Sequence, residues 1–352
     1  MIRVGVAGFG LGGRVFHAPL VSSVEGLELA AVVERSSDKA RNRYPDITIY
    51  RTYDELVDDR KIDLIAVTTP SGLHFDNARK ALEAGKSVVV DKPVGVSSGQ
   101  ISELISLAGQ QGRLLCPFHN RRWDSDFRTL QRLLHDRCLG RLVNFESYFD
   151  RWRPVPRTGS WKEDPELGGG LLLDIGTHLV DQALVLFGKP EGVSAEVTRE
   201  RDGDGANDSF VIRLRYAALT ATLASNCLAS PGRPRYLLRG TKGNYWKWGL
   251  DPQEAALNQV QRIPAGPWVQ EPPSNWGSMN VDVDGGVVIR PVAPTPGDYR
   301  IYYAGVRDAM LGKGPAPVLP VEAWRTARIL EWAAQSAEQR CEIACEWSGE
   351  PA

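Results

Sequence analysis

The feature that most constrains this chain is its first thirteen residues. Ile2 to Ala7 reads as a short buried strand, and Gly8-Phe9-Gly10-Leu11-Gly12-Gly13 follows at once. The spacing G-x-G-x-x-G runs through Gly8, Gly10 and Gly13. In that pattern the first glycine permits a tight turn, the second lets backbone approach a pyrophosphate, and the third lets a helix pack on the strand. A helix starting there presents free N–H groups and the positive end of its dipole to phosphate. Gly8, Gly10, Leu11, Gly12 and Gly13 are therefore candidate dinucleotide-binding residues.

The context repeats the theme. A second apolar run, Leu27 to Val33, ends in Glu34, about twenty residues past Gly13, where an acid would hold an adenosine ribose. Strand-like runs at Ile62–Val67, Ser87–Val90 and Leu114–Cys116 alternate with helical ones at Leu73–Ala84 and Gln100–Gln110. Such alternation predicts a doubly wound parallel sheet of the Rossmann type over residues 1–120. Pro19 falls inside the first helix, so a break or restart is expected near His17 to Pro19. His17 then lies near the phosphate end in a structural role. Two loops should sit at the carboxyl ends of strands, where open α/β sheets bind ligands. The first, Thr68 to His74, supplies Thr69, Pro70 and His74. The second, Asp91-Lys92-Pro93, points a lysine into the crevice.

The rhythm ends near Pro117 to Asp124, and residues 121–352 read as a second domain. Ser209 to Tyr216 alternates apolar with mostly polar residues, the mark of a sheet with one solvated face. Val143–Phe149, Thr220–Ser225 and Arg235–Gly240 are similar, so the expectation is an α/β domain with an open, largely antiparallel sheet. Residues 263–297, rich in Pro and Gly, read as a surface excursion without chemistry. Helices are expected at Phe127–His135, Tyr302–Leu311 and Val321–Ser336.

Within this domain GGGLLLDIGTHLVD (168–181) carries Asp174, His178 and Asp181 at i, i+4 and i+7, one helix face. A carboxylate one turn before a histidine suits proton transfer at a bound substrate, and equally suits a buried histidine satisfied by its neighbour. Arg151, Trp152, Arg153, Arg157 and Trp161 precede it; arginine with tryptophan can line a pocket for a hydroxylated or anionic small molecule, or cover a sheet edge.

Composition removes several alternatives. A net charge of -1 leaves no electrostatic footprint for nucleic acid or anionic membrane. Apolar runs such as Leu184 to Phe187 are a few residues long, so no membrane span is expected. Five scattered cysteines predict reduced thiols and a cytoplasmic setting. No metal is expected: Cys341 and Cys345 lack nearby histidines, and His17, His74, His119 and His135 form no ligand motif, His135 reading as surface.

The fingerprint at 8–13, Asp91-Lys92-Pro93 and the Gly-Gly-Gly…Asp174…His178 segment resemble the glucose–fructose oxidoreductase, inositol dehydrogenase and rhizopine-catabolism family (Gfo/Idh/MocA). Gly13 to Pro19, Thr68 to His74, His119 to Asp124, Asp150 to Pro154 and Gly249 to Glu254 are similar to its NADP-dependent scyllo-inositol dehydrogenase branch. The resemblance spans nearly the whole chain. It implies hydride transfer between nicotinamide and a ring hydroxyl or ketone of a polyol or sugar, in a homodimer or homotetramer joined through the second sheet. It makes Lys92 the lysine of the Glu-Lys-Pro motif, and Asp174 and His178 the Asp-x-x-x-His pair. His119, Arg122, Arg151 and Trp161 become candidate substrate contacts. The chain departs from the pattern at Asp91, where Glu is commoner, at Val94, where Phe or Met is frequent, and at Glu34, where that branch has small hydroxyl residues.

On this reading neutral His178 removes the hydroxyl proton, Asp174 orients the imidazole, and Lys92 stabilises the developing alkoxide. Asp181 anchors the helix. The cofactor is NAD or NADP: Glu34 would repel a 2′-phosphate and favours NAD, whereas Arg35, Ser36 and Ser37 suit the phosphate. A non-catalytic regulator binding the same ligands, and a glycosidase holding NAD, are the competing readings.

Overall fold

A computed structural model describes residues 1–260, 263–283 and 285–351. The first layer is a six-stranded sheet of β1 (Ile2–Ala7), β2 (Leu27–Val33), β3 (Thr48–Tyr50), β4 (Leu64–Val67), β5 (Ser87–Val90) and β6 (Leu115–Pro117), all parallel, in the order β3-β2-β1-β4-β5-β6. Its central strands are buried on both faces, as their unbroken apolar runs require. The first helix begins as a wide i→i+5 turn, Gly12–His17, and restarts as α1 (Ala18–Ser22), with Pro19 near its start. A proline lacks the N–H and crowds the preceding turn, so the chain changes helical pitch there.

One face of this sheet carries α2 (Tyr53–Asp58), α3 (His74–Glu83) and α4 (Ser98–Gln111). The other face is closed partly from the far end of the sequence. Tyr299, and Tyr302, Tyr303 and Val306 of α8 (Arg300–Met310), pack with Val4, Val6 and Phe118. The expected division at residue 120 into two continuous pieces therefore needs amendment. A stretch of the second half completes the core of the first, because the sheet has too few helices of its own to cover both faces.

The second layer is a nine-stranded sheet of β7 (Leu142–Tyr148), β8 (Gly192–Thr198), β9 (Ser209–Tyr216), β10 (Leu219–Asn226), β11 (Tyr236–Gly240), β12 (Gly243–Lys247), β13 (Gly277–Val283), β14 (Gly286–Val292) and β15 (Ile343–Ala344). Its order is β14-β13-β12-β11-β7-β10-β9-β8-β15, antiparallel except where β7 lies parallel to β10. Phe210, Ile212 and Leu214 face the core, while the alternate residues Arg213 and Arg215 face solvent. Burying each of those three side chains contributes roughly 1.5–3 kcal/mol. The hairpin β13–β14 corrects the reading of 263–297 as a simple excursion: polar turn residues mask two strands that extend an edge, where Val287 and Ile289 stay exposed.

Helices α5 (Ser125–His135), α6 (Thr177–Phe187) and α9 (Pro320–Gln339) cover the inner face of this sheet, with the short α7 (Gln253–Gln259) near the domain junction. The helical stretch Pro165–Phe187 is, by length and by a mean hydropathy of 1.4, able to cross a membrane, contrary to the expectation that no run approaches a span. Two-thirds of that window is buried inside the protein, so the apolar composition here serves a core.

Candidate active site

The crevice opens where β1, β4 and β5 end. Gly8 takes a φ of +122°, a conformation glycine adopts without steric cost. A Cβ on Gly13 would lie 1.9 Å from the carbonyl oxygen of Gly8, so helix and strand meet only because that side chain is absent. On Gly10 a Cβ would meet no protein atom within 4 Å, and the open space belongs to the cleft. This is the cradle a pyrophosphate would fill, so these residues fit a dinucleotide. The cleft measures about 790 Å³ and runs from Glu34 and Arg35 at one end to Asp174 and His178 at the other.

At the near end Glu34 is anchored by its own turn. The Glu34 carboxylate accepts from Ser37 Oγ (2.7 Å) and from the backbone N–H of Ala40 (2.8 Å). These bonds fix the carboxylate at the cleft edge, where it keeps acceptor capacity toward a ribose. Arg35, Ser36, Ser37 and Arg51 border the cleft beside it.

The two strand-end loops are tied together. His74 contacts the carbonyl oxygens of Pro93 and Thr69, both at 2.7 Å, either tautomer donating to one of them. Asn77 donates to Thr69 Oγ1 at 3.0 Å. Asp91 accepts the N–H of Lys92 at 2.8 Å and faces His17 Nε2 at 3.6 Å, while His17 Nδ1 meets Tyr303 Oη at 2.6 Å. Burial opposes ionisation of Asp91, but His17, His74 and Lys92 outweigh it and hold the carboxyl at about 2.

Lys92 reaches across the crevice. Its Nζ donates to Asp174 Oδ1 at 2.8 Å and to the Asp174 main-chain carbonyl at 2.5 Å. The expected helix over 168–187 begins as a wide i→i+5 turn, Leu172–Gly176, before α6. Asp174 lies in that turn and His178 just beyond it, both lining the cleft. Widened turns of this kind recur at functional sites.

The pair does not work as expected, however. Asp174 makes no hydrogen bond to His178 among the described residues; its carboxylate is held instead by Lys92, by Lys162 Nζ (2.8 Å) and by Arg151 Nη1 (3.3 Å). Burial resists its charge, and those three cations keep Asp174 ionised well below the usual carboxylate range. Three formal positive charges outbid a neutral imidazole for the same two oxygens. His178 is buried, and desolvation together with Lys92 and Arg121 presses its pKa well below the ordinary imidazole value. Its ring lines the cleft, where burial and these cations favour the uncharged form.

The candidate substrate residues divide. Arg151 and Trp161 line the crevice, but His119 and Arg122 do not. Arg122 points the other way, gripping Asp181 with two bonds (2.9 and 2.6 Å) and Glu322 with a third (2.9 Å). Asp181 is thereby the helix anchor it was expected to be. His119 is buried behind the site, its Nδ1 3.8 Å from Asp181 Oδ1, too far for a hydrogen bond. Asn120 and Arg121, which open the 3-10 turn Asn120–Trp123, line the cleft in their stead. Arg121 bonds Glu254 at 2.5 Å.

Lys162, Arg121 and Glu254 escaped the sequence reading. Lys162 follows Trp161 directly and could have been flagged with it, but a loop lysine is ordinarily solvated. Glu254 comes from α7, and only the packing of α7 near the crevice brings it in.

Residues 2–119 match the family described as oxidoreductase family, NAD-binding Rossmann fold, and residues 127–246 match the GFO/IDH/MocA C-terminal domain. The chain is 40% identical to the uncharacterized oxidoreductase YdgJ of Escherichia coli, over 97% of this chain and 98% of that one. It is 30% identical to scyllo-inositol 2-dehydrogenase (NADP(+)) IolW of Bacillus subtilis, over 98% and 96%. The solved structure of the YPO2259 oxidoreductase from Yersinia pestis superposes with a TM-score of 0.91 at 41% identity, covering 98% of this chain and 97% of that one.

Proposed function

The chain belongs to the GFO/IDH/MocA family of NAD(P)-binding oxidoreductases, and from that premise we propose that it oxidises a secondary alcohol of a polyhydroxylated small molecule, or reduces the matching ketone, with NADP. The observation carrying this reading is Lys92 and His178 on the wall of one crevice whose far end is the glycine cradle. A bound nicotinamide would supply a hydride acceptor at the carbinol carbon. His178, unprotonated, takes the hydroxyl proton. Lys92 donates to the same oxygen and lowers the energy of the alkoxide as it forms. Asp174 holds Lys92 in place across the crevice, and Trp161 offers an indole face to a sugar ring.

The preference for NADP rests on Arg35 and Ser36, which border this end of the cleft and are the groups a 2′-phosphate would meet. A relative at 30% identity carries NADP(+) in its name. The exposed Val287 and Ile289 at the sheet edge favour a dimer or tetramer joined through the second sheet. The five cysteines are free, which suits a reducing compartment such as the cytoplasm. The test is absorbance at 340 nm across polyols and sugars, run with NADP and with NAD. Substrate-dependent reduction with kcat/KM at least tenfold higher for NADP is expected. Higher efficiency with NAD would overturn the cofactor preference, and no reduction with either would overturn the reaction.

A further inference from the structure

The charge balance around Asp174 points to a property of the substrate. Lys92, Lys162 and Arg151 converge on this one carboxylate, leaving two formal positive charges in a recess where the three side chains are 15, 34 and 20% exposed. Asp91, next in sequence to Lys92, lines the same cleft as a carboxylate and offsets one of them, while the acids beside Arg151 and Lys162 are engaged elsewhere. Asp150, next in sequence to Arg151, is taken by Arg233 through two bonds (2.8 and 2.7 Å). Glu163, next to Lys162, is taken by Arg201 at 2.6 Å, which also holds Asp208 at 2.8 Å. Glu254 is bonded to Arg121, and Asp181 to Arg122.

The surplus is built in. The guanidinium of Arg151 rests 5.2 Å from the centroid of Phe149, a ring it shares with Arg121 at 4.9 Å and Arg235 at 5.5 Å. That stacking fixes the plane of Arg151 while its one side-chain hydrogen bond among the described residues, to Asp174, is long at 3.3 Å. Most of its donor fork is left facing the crevice. Like charges held this close in a half-buried recess repel unless an anion joins them.

We infer that the substrate carries an anionic group, a carboxylate or a phosphoryl oxygen, close to the reacting carbinol carbon, held by Arg151 and Lys162. This rests on the oxidoreductase reading and narrows its substrate to acidic sugars or polyols. An oxidised nicotinamide is itself cationic, so an anion on the substrate would also offset charge on the cofactor side of the reacting carbon.

The experiment is calorimetric titration of the protein saturated with NADP, using pairs that differ in charge: gluconate against glucitol, and glucitol 6-phosphate against glucitol, at fixed ionic strength. At least tenfold tighter binding of one acid than of glucitol is expected, the acid chosen telling carboxylate from phosphoryl. Lys162→Met and Arg151→Met should each erase that preference by tenfold or more, Lys162→Arg should keep it, and affinity for NADP should stay within twofold. Thermal unfolding of each variant verifies the fold. Equal or tighter binding of glucitol, binding of neither class, or equal loss of NADP affinity in the variants overturns the inference. Tighter binding of acids with no change at 340 nm keeps the anion site but overturns the oxidoreductase reading, and with it the claim that the anion is part of a substrate.

Discussion

Lys92 and Asp174, 82 residues apart in sequence, are joined twice: the ammonium donates to the carboxylate at 2.8 Å and to the main-chain carbonyl of the same residue at 2.5 Å. The pair fastens the loop after β5 to the wide turn ahead of α6, and so brings parts of both domains to one side of the crevice. With burial pushing its pKa down and Asp174 holding it up, Lys92 is a donor poised at the cleft wall.

Removing the base is the most direct trial of the mechanism. His178→Ala should lower kcat by about 10²–10⁴, the range for general base catalysis. NADP affinity should remain within a few-fold. Turnover within tenfold of the parent in single-turnover assays would assign the proton transfer elsewhere.

Lys92→Met and Asp174→Asn should differ in kind. The first removes the donor to the reacting oxygen and should cut kcat by about 10²–10³, with KM little changed. The second leaves three cations without their shared anion in a buried recess, so it should also lower the melting temperature. Equal kinetic loss with unchanged melting in both would mean Asp174 acts chemically and does not organise the cations.

The depressed pKa of His178 has two consequences with a definite sign. Alcohol oxidation needs the neutral imidazole, so its rate should run level through pH 6.5 and fall only well below. Stability follows the same sense: the unfolded chain binds the proton that the folded chain refuses, so stability is full above about pH 6.5 and declines as pH falls. Melting temperatures measured from pH 8 to 5 for the parent and His178→Gln should show a smaller decline in the variant. Identical profiles would contradict the desolvated setting of this ring.

Gly13→Ala tests the cradle. The added methyl would meet the Gly8 carbonyl at 1.9 Å, and backbone on both sides must move. Loss of measurable NADP binding, seen by tryptophan fluorescence, is expected along with a lower melting temperature. Gly10→Ala has no protein atom to strike, so it should fold normally and lose affinity for NADP alone. Retained affinity in Gly10→Ala would place the pyrophosphate elsewhere.

Arg122→Ala addresses a residue first read as a substrate contact. It leaves Asp181 buried without its bidentate partner, a change that costs about 3–5 kcal/mol in comparable pairs. Reduced stability with KM unchanged is expected from chemical denaturation and steady-state kinetics. A raised KM with unaltered stability would return Arg122 to the binding site.

Much of this organisation is legible in local sequence because the rules that produce it act over a few residues. The glycine spacing, the apolar runs of β1, β4 and β5, and the period-two alternation of β9 each specify a backbone state directly. The strand-end loops follow from topology, so Thr69, Asp91 and Lys92 could be placed at the crevice from the chain order alone. What stayed hidden is long-range. Tyr302 and Tyr303 join the core of the first domain from near the far end of the chain, and periodicity carries no address. Whether His119, Arg122 or their neighbour Arg121 enters the cleft is likewise decided by tertiary packing.

The sequence by itself determined the class of the fold and the dinucleotide cradle, which rest on residue type and spacing, while the family resemblance singled out the lysine and histidine on the crevice wall. Tertiary structure alone decided what Asp174 does. Spacing paired it with His178, one turn away, as a local rule must. Three cations drawn from the loop after β5, from the segment after β7 and from the stretch before α6 claim that carboxylate instead, because charge in a recess goes to its strongest partner and not to its nearest neighbour in sequence.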